Sequence, residues 1–177
     1  LPGSRTQEIS KILPLMLTVV DKLPEYQFVI AAAPSQPLTY YKSLTGNRNI
    51  AVIADETYSL LSASQAALVT SGTATLETAL LNIPEVVCYK GGKISYHIAK
   101  RIVDIKYISL VNLIMDREVV KELIQDELNE STIFNELKKV LSPDHRKKLL
   151  SDYSELRTKL GGSGASEKAA KIVIANM

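Results

Sequence analysis

Residues 67–77 read Ala67-Leu68-Val69-Thr70-Ser71-Gly72-Thr73-Ala74-Thr75-Leu76-Glu77, and this stretch decides the fold. Residues 67–70 suit a buried strand, a small-residue turn comes next, and the turn runs directly into a predicted helix over 73–82. A strand that passes through Ser-Gly-Thr into a helix is half of a strand-helix-strand unit, the building block of parallel sheets. The same rhythm extends in both directions. Upstream, 27–33 (QFVIAAA) and 49–54 (NIAVIA) are short continuous apolar runs, the signature of strands buried on both faces, and each is succeeded by a helical stretch, at 37–44 and 58–63. Downstream, 85–89 reads as another strand. The opening segment reads as a helix capped by Ser4 or Thr6, with Ile9, Ile12, Leu13, Leu15, Met16, Val19 and Val20 at helical spacing, ending near 23–24 and dented or kinked at Pro14. Alternating strands and helices predict an α/β fold, a Rossmann-like parallel sheet with helices on both faces.

Beyond Gly91-Gly92 the rhythm changes. Ile94, Ile98, Ile102 and Ile105 form one stripe of a helix over 93–106 whose other faces carry Lys93, Lys100, Arg101 and Lys106, with Asp104 the one acid. This stretch reads either as a surface for anionic lipid heads or an acceptor phosphate, or as a core helix with a solvated basic face. Residues 107–115 form an irregular apolar stretch holding one buried-looking amide, Asn112. The tail reads as helices over 118–124, 131–141, 143–160 and, after a glycine-rich break, 165–176. The domain expectation is a sheet domain at 1–130 and C-terminal helices at 131–177 that pack on it or return to a partner domain.

At 177 residues, 46% hydrophobic and 23% charged, the chain is long and apolar enough for one ordinary globular core. Lys and Arg total 21 and Asp and Glu 19, a net charge of +2, too balanced for a protein that wraps nucleic acid, so a phosphate ligand has to be gripped locally. One cysteine, Cys88, excludes an internal disulfide framework and a cysteine-cluster zinc site, and reads as a small core hydrophobe. His97 and His145 are too poorly accompanied for a metal site, and no metal is expected. No apolar run reaches the roughly 18–20 residues of a membrane span, and the opening residues lack a signal-peptide pattern. The chain opens Leu1-Pro2-Gly3-Ser4-Arg5 without an initiator methionine, and Pro2-Gly3 is a turn signal that normally comes after an element. A fragment of a longer protein is expected.

Ligands of open parallel sheets bind beyond the carboxyl ends of the strands, where turns feed helix N-termini. Two turns fit. In the first, Gly72 lets the backbone approach a ligand, Ser71, Thr73 and the first-turn N–H groups at Ala74 offer donors to an anion, and Glu77 can accept two hydrogen bonds from vicinal ribose hydroxyls. The bland alternative is a helix cap and a solvated acid. In the second, Gly3-Ser4-Arg5 sets a guanidinium, a rigid fork for phosphate oxygens, beside backbone donors. Its alternative is an ordinary surface arginine. Together they describe a cleft for a nucleoside diphosphate. The P-loop and dinucleotide glycine patterns are absent, which disfavours ATP hydrolysis and hydride transfer.

The ordered set LPGSR (1–5), SGTATLE (71–77), IP-VV-YK (83–90), AKRIV (99–103), YISLVNLI (107–114) and KELIQDE (121–127) resembles the bacterial lipid-A-disaccharide synthase family over about residues 1–127. The resemblance implies one lobe of a two-domain GT-B glycosyltransferase, its C-terminal, nucleotide-sugar-binding half. It implies transfer of diacylglucosamine from a UDP donor to diacylglucosamine 1-phosphate (lipid X), giving the lipid A disaccharide 1-phosphate and UDP. No metal or other cofactor is implied, since the UDP-sugar is a substrate, and the place implied is the cytoplasmic face of the bacterial inner membrane, peripherally bound. By this resemblance Gly3, Ser4 and Arg5, with Ser71, Gly72, Thr73, Ala74, Leu76 and Glu77, fall on the UDP-binding motifs. Asn112 falls on a donor-site amide, with Val111 where the family has proline, and Gln125 lies near the donor sugar. Arg5 and Asn112 would support the donor and leaving group. No general base stands out, since Asp55-Glu56 is equally well a solvated turn, and the resemblance puts the base in the N-terminal half. Tyr89, Tyr96 and Tyr107 could cover acyl chains or a sugar face, or simply pack at the sheet edge. Two competing readings remain: another UDP-sugar enzyme, such as a peptidoglycan N-acetylglucosaminyltransferase or a UDP-sugar epimerase, and a non-catalytic nucleotide-binding or dimerisation module.

Overall fold

A computed structural model describes residues 1–91, 106–161 and 164–175. The predicted helix at 93–106, with its basic face, the AKRIV motif, Tyr96 and His97, lies outside the described residues apart from Lys106. The described elements are helix α1 (Thr6–Met16), which tightens into a 3-10 helix (Leu17–Lys22), then strand β1 (Val29–Ala32), α2 (Leu38–Thr45), β2 (Ala51–Ala54), α3 (Thr57–Ser62), β3 (Ala67–Thr70), α4 (Thr73–Leu80) and β4 (Glu85–Tyr89). Next come α5 (Leu110–Met115), β5 (Lys121–Ile124), a short 3-10 turn (Gln125–Glu127), α6 (Glu130–Leu141), α7 (Pro143–Leu160) and α8 (Ala165–Ala175). Every ladder is parallel, as the strand-helix alternation requires. β1 pairs with β2, and β3-β4-β5 form a separate set of three.

Three clusters of buried residues pack on these two sets, the smallest being Leu61, Ala67, Val69 and Ile83, and α1 feeds the other two. Ile9 and Leu13 of α1 join Ile30, Ala32 and Tyr41 on the β1-β2 side. From the same helix, Ile12 and Met16 turn to the larger core with Val86, Val87, Leu123 and Tyr153. One amphipathic helix therefore ties the two sets together, and each such aliphatic side chain contributes roughly 1.5–3 kcal/mol by leaving water. Ile133 and Leu137 of α6 and Leu149, Tyr153 and Leu156 of α7 are fully part of the larger core, so these helices share the interior of the sheet region. The described side chains of α8 are exposed.

Several expectations are corrected. Residues 118–124 form no helix: Lys121–Ile124 is β5, paired in register with Val86–Tyr89, and Val120 and Leu123 are buried. The run 49–54 does not make a strand buried on both faces: among the described residues β2 pairs with β1 alone, and its residues alternate exposed and half-buried. Neither Ser4 nor Thr6 caps the first helix. Arg5 stands at the N-cap without a side-chain cap bond, and Pro14 sits inside α1, which runs on to Met16. The stretch 107–115 is irregular only as far as Ser109, whose hydroxyl accepts the Asn112 N–H at 3.3 Å and starts α5.

Candidate functional site

Gly3, Ser4 and Arg5 meet Ser71, Gly72, Thr73, Ala74 and Glu77 around one cleft of about 490 Å³, which also touches Ala31 and Ala32 at the carboxyl end of β1. The two turns identified from sequence thus face each other, where parallel sheets place their ligands.

The first turn is held from both sides. Leu1 donates its amino group to the Leu68 carbonyl and accepts the Thr70 N–H, both at 2.9 Å, while Ser35 Oγ donates to the Ser4 carbonyl at 2.8 Å. Gly3 has φ +101°, where a side chain is strained, and a Cβ there would meet Glu8 Oε2 at 3.0 Å. This fold of the turn carries Arg5 to the cleft with its side chain 82% exposed, paired with Glu8 at 3.1 Å. Such an exposed pair is worth under about 1 kcal/mol, so the guanidinium is free to exchange partners.

The second turn is fixed by the sheet. The Ser71 N–H reaches the Cys88 carbonyl at 3.1 Å and its Oγ donates to the Ile108 carbonyl at 2.9 Å. Both Ser71 donors are therefore engaged within the fold, and the residue lines the cleft. Gly72 is extended, and a Cβ there would meet nothing within 4 Å because it would stand in open space. No acid occupies the first turn of α4, so its N-terminal N–H groups and dipole act on the cleft without a countercharge from that turn. Glu77 lies one turn further along the same helix.

Asn112 is buried with its amide fully hydrogen-bonded, and it is not among the residues that line the cleft. Its Nδ2 donates to the Val120 carbonyl at 2.8 Å and to Glu122 Oε1 at 2.9 Å, and its Oδ1 accepts the Val119 and Val120 N–H groups at 2.7 and 3.0 Å. The Glu122 carboxylate in turn accepts the Ile108 and Ser109 N–H groups at 3.0 and 2.9 Å. Since the Ile108 carbonyl holds Ser71 Oγ, this buried network runs from α5 and β5 to the Ser71 turn. The KELI run carried this signal as an acid inside an apolar strand, which the helical reading concealed.

Gln125 comes directly after β5 in a left-handed conformation, φ +53°, with its Nε2 buried and unpartnered, but it is not among the cleft-lining residues. Asp55 ends the edge strand β2 at φ +60°, exposed and outside the lining. Among the lining residues that sequence reasoning missed are Glu8, Thr57 and Thr70, which carry polar side chains, and Ala31 to Pro34 at and beyond the end of β1. Glu8 has a visible signal, an acid three residues after the N-cap position Arg5. Cys88 is buried, and burial pushes its thiol up to about 12, in keeping with an inert core residue. Tyr107 lies under Lys106, 5.4 Å from its ring centroid, and His145 is half-buried in the first turn of α7. Among the described residues no helix is long and apolar enough to cross a membrane, and no three His, Cys, Asp or Glu side chains gather as metal ligands.

Comparison with known proteins matches residues 1–175 to a family model described as lipid-A-disaccharide synthetase. Curated lipid-A-disaccharide synthases similar to the chain include those of Syntrophus aciditrophicus (38% identical, 98% of this chain and 48% of that protein), Geobacter sulfurreducens (33%, 98% and 47%) and Myxococcus xanthus (35%, 98% and 47%). The chain spans about half the length of the curated relatives it matches.

Proposed function

The chain belongs to the lipid-A-disaccharide synthetase family, and on that premise we propose that it is the UDP-sugar-binding half of a hexosyltransferase that joins a diacylglucosamine from its UDP donor to diacylglucosamine 1-phosphate. The observation that carries this reading is the meeting of the Gly3-Ser4-Arg5 and Gly72-Thr73-Ala74 turns in one cleft at the carboxyl ends of parallel strands.

In this reading the donor diphosphate sits between Arg5 and the α4 N-terminus. Arg5 leaves Glu8 and forks onto phosphate oxygens, while the N–H groups of Gly72, Thr73 and Ala74 point at the same charge. Glu77 takes the ribose hydroxyls. As the sugar leaves, negative charge grows on the diphosphate, and these fixed donors answer it without a cofactor, one well-placed donor being worth roughly 2.7–4 kcal/mol in related chemistry. The acceptor, the general base and the contacts to acyl chains belong to a partner half of the same enzyme, working peripherally at the cytoplasmic face of the bacterial inner membrane. Gln125, strained and unpartnered at the end of β5, stands ready for the donor sugar.

Calorimetric titration with UDP, ADP and GDP tests the reading. UDP is expected to bind preferentially, and Glu77→Ala to weaken it about tenfold through lost ribose contacts. Equal binding of all three nucleotides would favour a bland anion site. In the full-length enzyme, Arg5→Ala is expected to lower kcat at least about 100-fold. The chain alone is expected to bind UDP and form no disaccharide.

A further inference from the structure

Among the described residues, the ionisable side chains that line the cleft are Arg5, Glu8 and Glu77, one positive and two negative. That balance is unexpected where an anion is to bind. Glu77 has a use in the ribose hydroxyls, but Glu8 has none so far. Its place in the first turn of α1 favours the helix dipole, and that alone would let the side chain point into water. Instead the side chain is only 28% exposed, and Arg5 Nη1 donates to its Oε1 at 3.1 Å. The other oxygen, Oε2, lies 3.0 Å from the point where a Cβ on Gly3 would stand, and the same point is 3.4 Å from Cγ2 of Thr70, the residue before Ser71. The carboxylate therefore rests on the bare backbone of Gly3, between the first turn and the carboxyl end of β3.

We infer that Glu8 is a built-in counter-anion of the donor site, which holds Arg5 at the empty cleft, yields it to the donor diphosphate, and repels UDP once the sugar has gone. This role rests on the diphosphate reading of the cleft and deepens it. An exposed carboxylate pair is weaker than a charge-assisted fork onto a diphosphate, so the guanidinium changes partner when the ligand arrives. Glu8 cannot move away in response. Ile9, Ile12 and Leu13 bury the next turns of α1, and Tyr40 Oη donates to the Thr6 carbonyl at 3.1 Å, which fixes the start of the helix. The carboxylate thus stays beside the bound phosphates, well inside the roughly 8–10 Å over which charges remain coupled in ordinary salt. A free terminal phosphate carries up to about one more negative charge than the same phosphate esterified to a sugar, so the repulsion falls hardest on the product.

The sign of one change in the full-length enzyme tests this. Glu8→Gln keeps the shape of the side chain and removes its charge. It is expected to bind UDP at least about fivefold more tightly in calorimetric titration, and to make UDP a correspondingly stronger product inhibitor. Glu8→Asp keeps the charge and is expected to stay within about twofold of the wild type. The gap between Glu8→Gln and the wild type should close in about 1 M salt, where the screening length falls to roughly 3 Å. An acid that only starts the helix or aims Arg5 gives the opposite sign, weaker UDP binding in Glu8→Gln. Equal or weaker binding by that variant, or a gain that salt leaves untouched, would overturn the role of Glu8 while UDP binding by the wild type keeps the diphosphate reading. A wild-type enzyme that binds no UDP would remove both.

Discussion

The two turns that face the cleft are made alike and held differently. Ser71-Gly72 leaves a strand paired through β4 and is pinned by Ser71 Oγ to the loop that Glu122 and Asn112 hold. Gly3-Ser4-Arg5 is held by two bonds at Leu1 and one from Ser35. The rigid turn supplies fixed N–H groups and the tethered turn supplies a mobile guanidinium. A phosphate site benefits from this division, because preorganised dipoles bind without rearrangement while one exposed charge reaches and releases the ligand.

The largest effect should come from breaking the rigid side at its root. Asn112→Ala strands the Val119 and Val120 N–H groups and frees Glu122, and is expected to cost about 3 kcal/mol or more, a fall of roughly 6–12 °C in melting temperature. The same substitution should loosen the Ser71 turn, seen as faster exchange of the Gly72 and Thr73 amides. Glycine scanning separates the turns more finely. Gly3→Ala, at φ +101° and against Glu8, is expected to cost about 1–2 kcal/mol of stability, whereas Gly72→Ala should change stability by less than about 0.5 kcal/mol yet weaken UDP binding about tenfold. Arg5→Ala should leave stability nearly unchanged, since its partner Glu8 is an exposed ion pair, and should cost at least about tenfold in UDP affinity.

A smaller, pH-dependent effect lies at the opposite end of β4. Burial pushes the Glu85 carboxyl well above its usual range, with neither oxygen hydrogen-bonded. The folded state therefore retains a proton that the unfolded chain has already released, so stability falls as pH rises from about 4.5 toward the folded value, with a slope of at most about 1.4 kcal/mol per pH unit. Glu85→Gln is expected to flatten that slope in denaturant unfolding between pH 5 and 8. It should leave both turns as they are, which makes it the control for substitutions within the cleft.

The cleft was legible in the sequence because its residues lie in two contiguous turns, each with a glycine at a strand-to-helix junction. Asn112 is less legible, because a buried amide looks the same in sequence whether its partners are a ligand or the backbone of Val119 and Val120. Residues 118–124 were misread because Val119, Val120, Leu123 and Ile124 fit a helical stripe as well as a strand, and the deciding interactions, pairing with Val86–Tyr89 and the Glu122 acceptors, come from residues distant in sequence. For β2 the local pattern is that of a central strand, whereas among the described residues it pairs with β1 alone. The parallel α/β class survived these errors, since it rests on the alternation of elements and not on any one of them.

Titrating UDP into the isotopically labelled chain while tracking backbone amide resonances addresses the shared cleft most directly. The amides of Ser4, Arg5 and Thr6 and those of Gly72, Thr73 and Ala74 should shift together along a single binding curve. Shifts confined to one turn, or two curves with different dissociation constants, would contradict a diphosphate held between them.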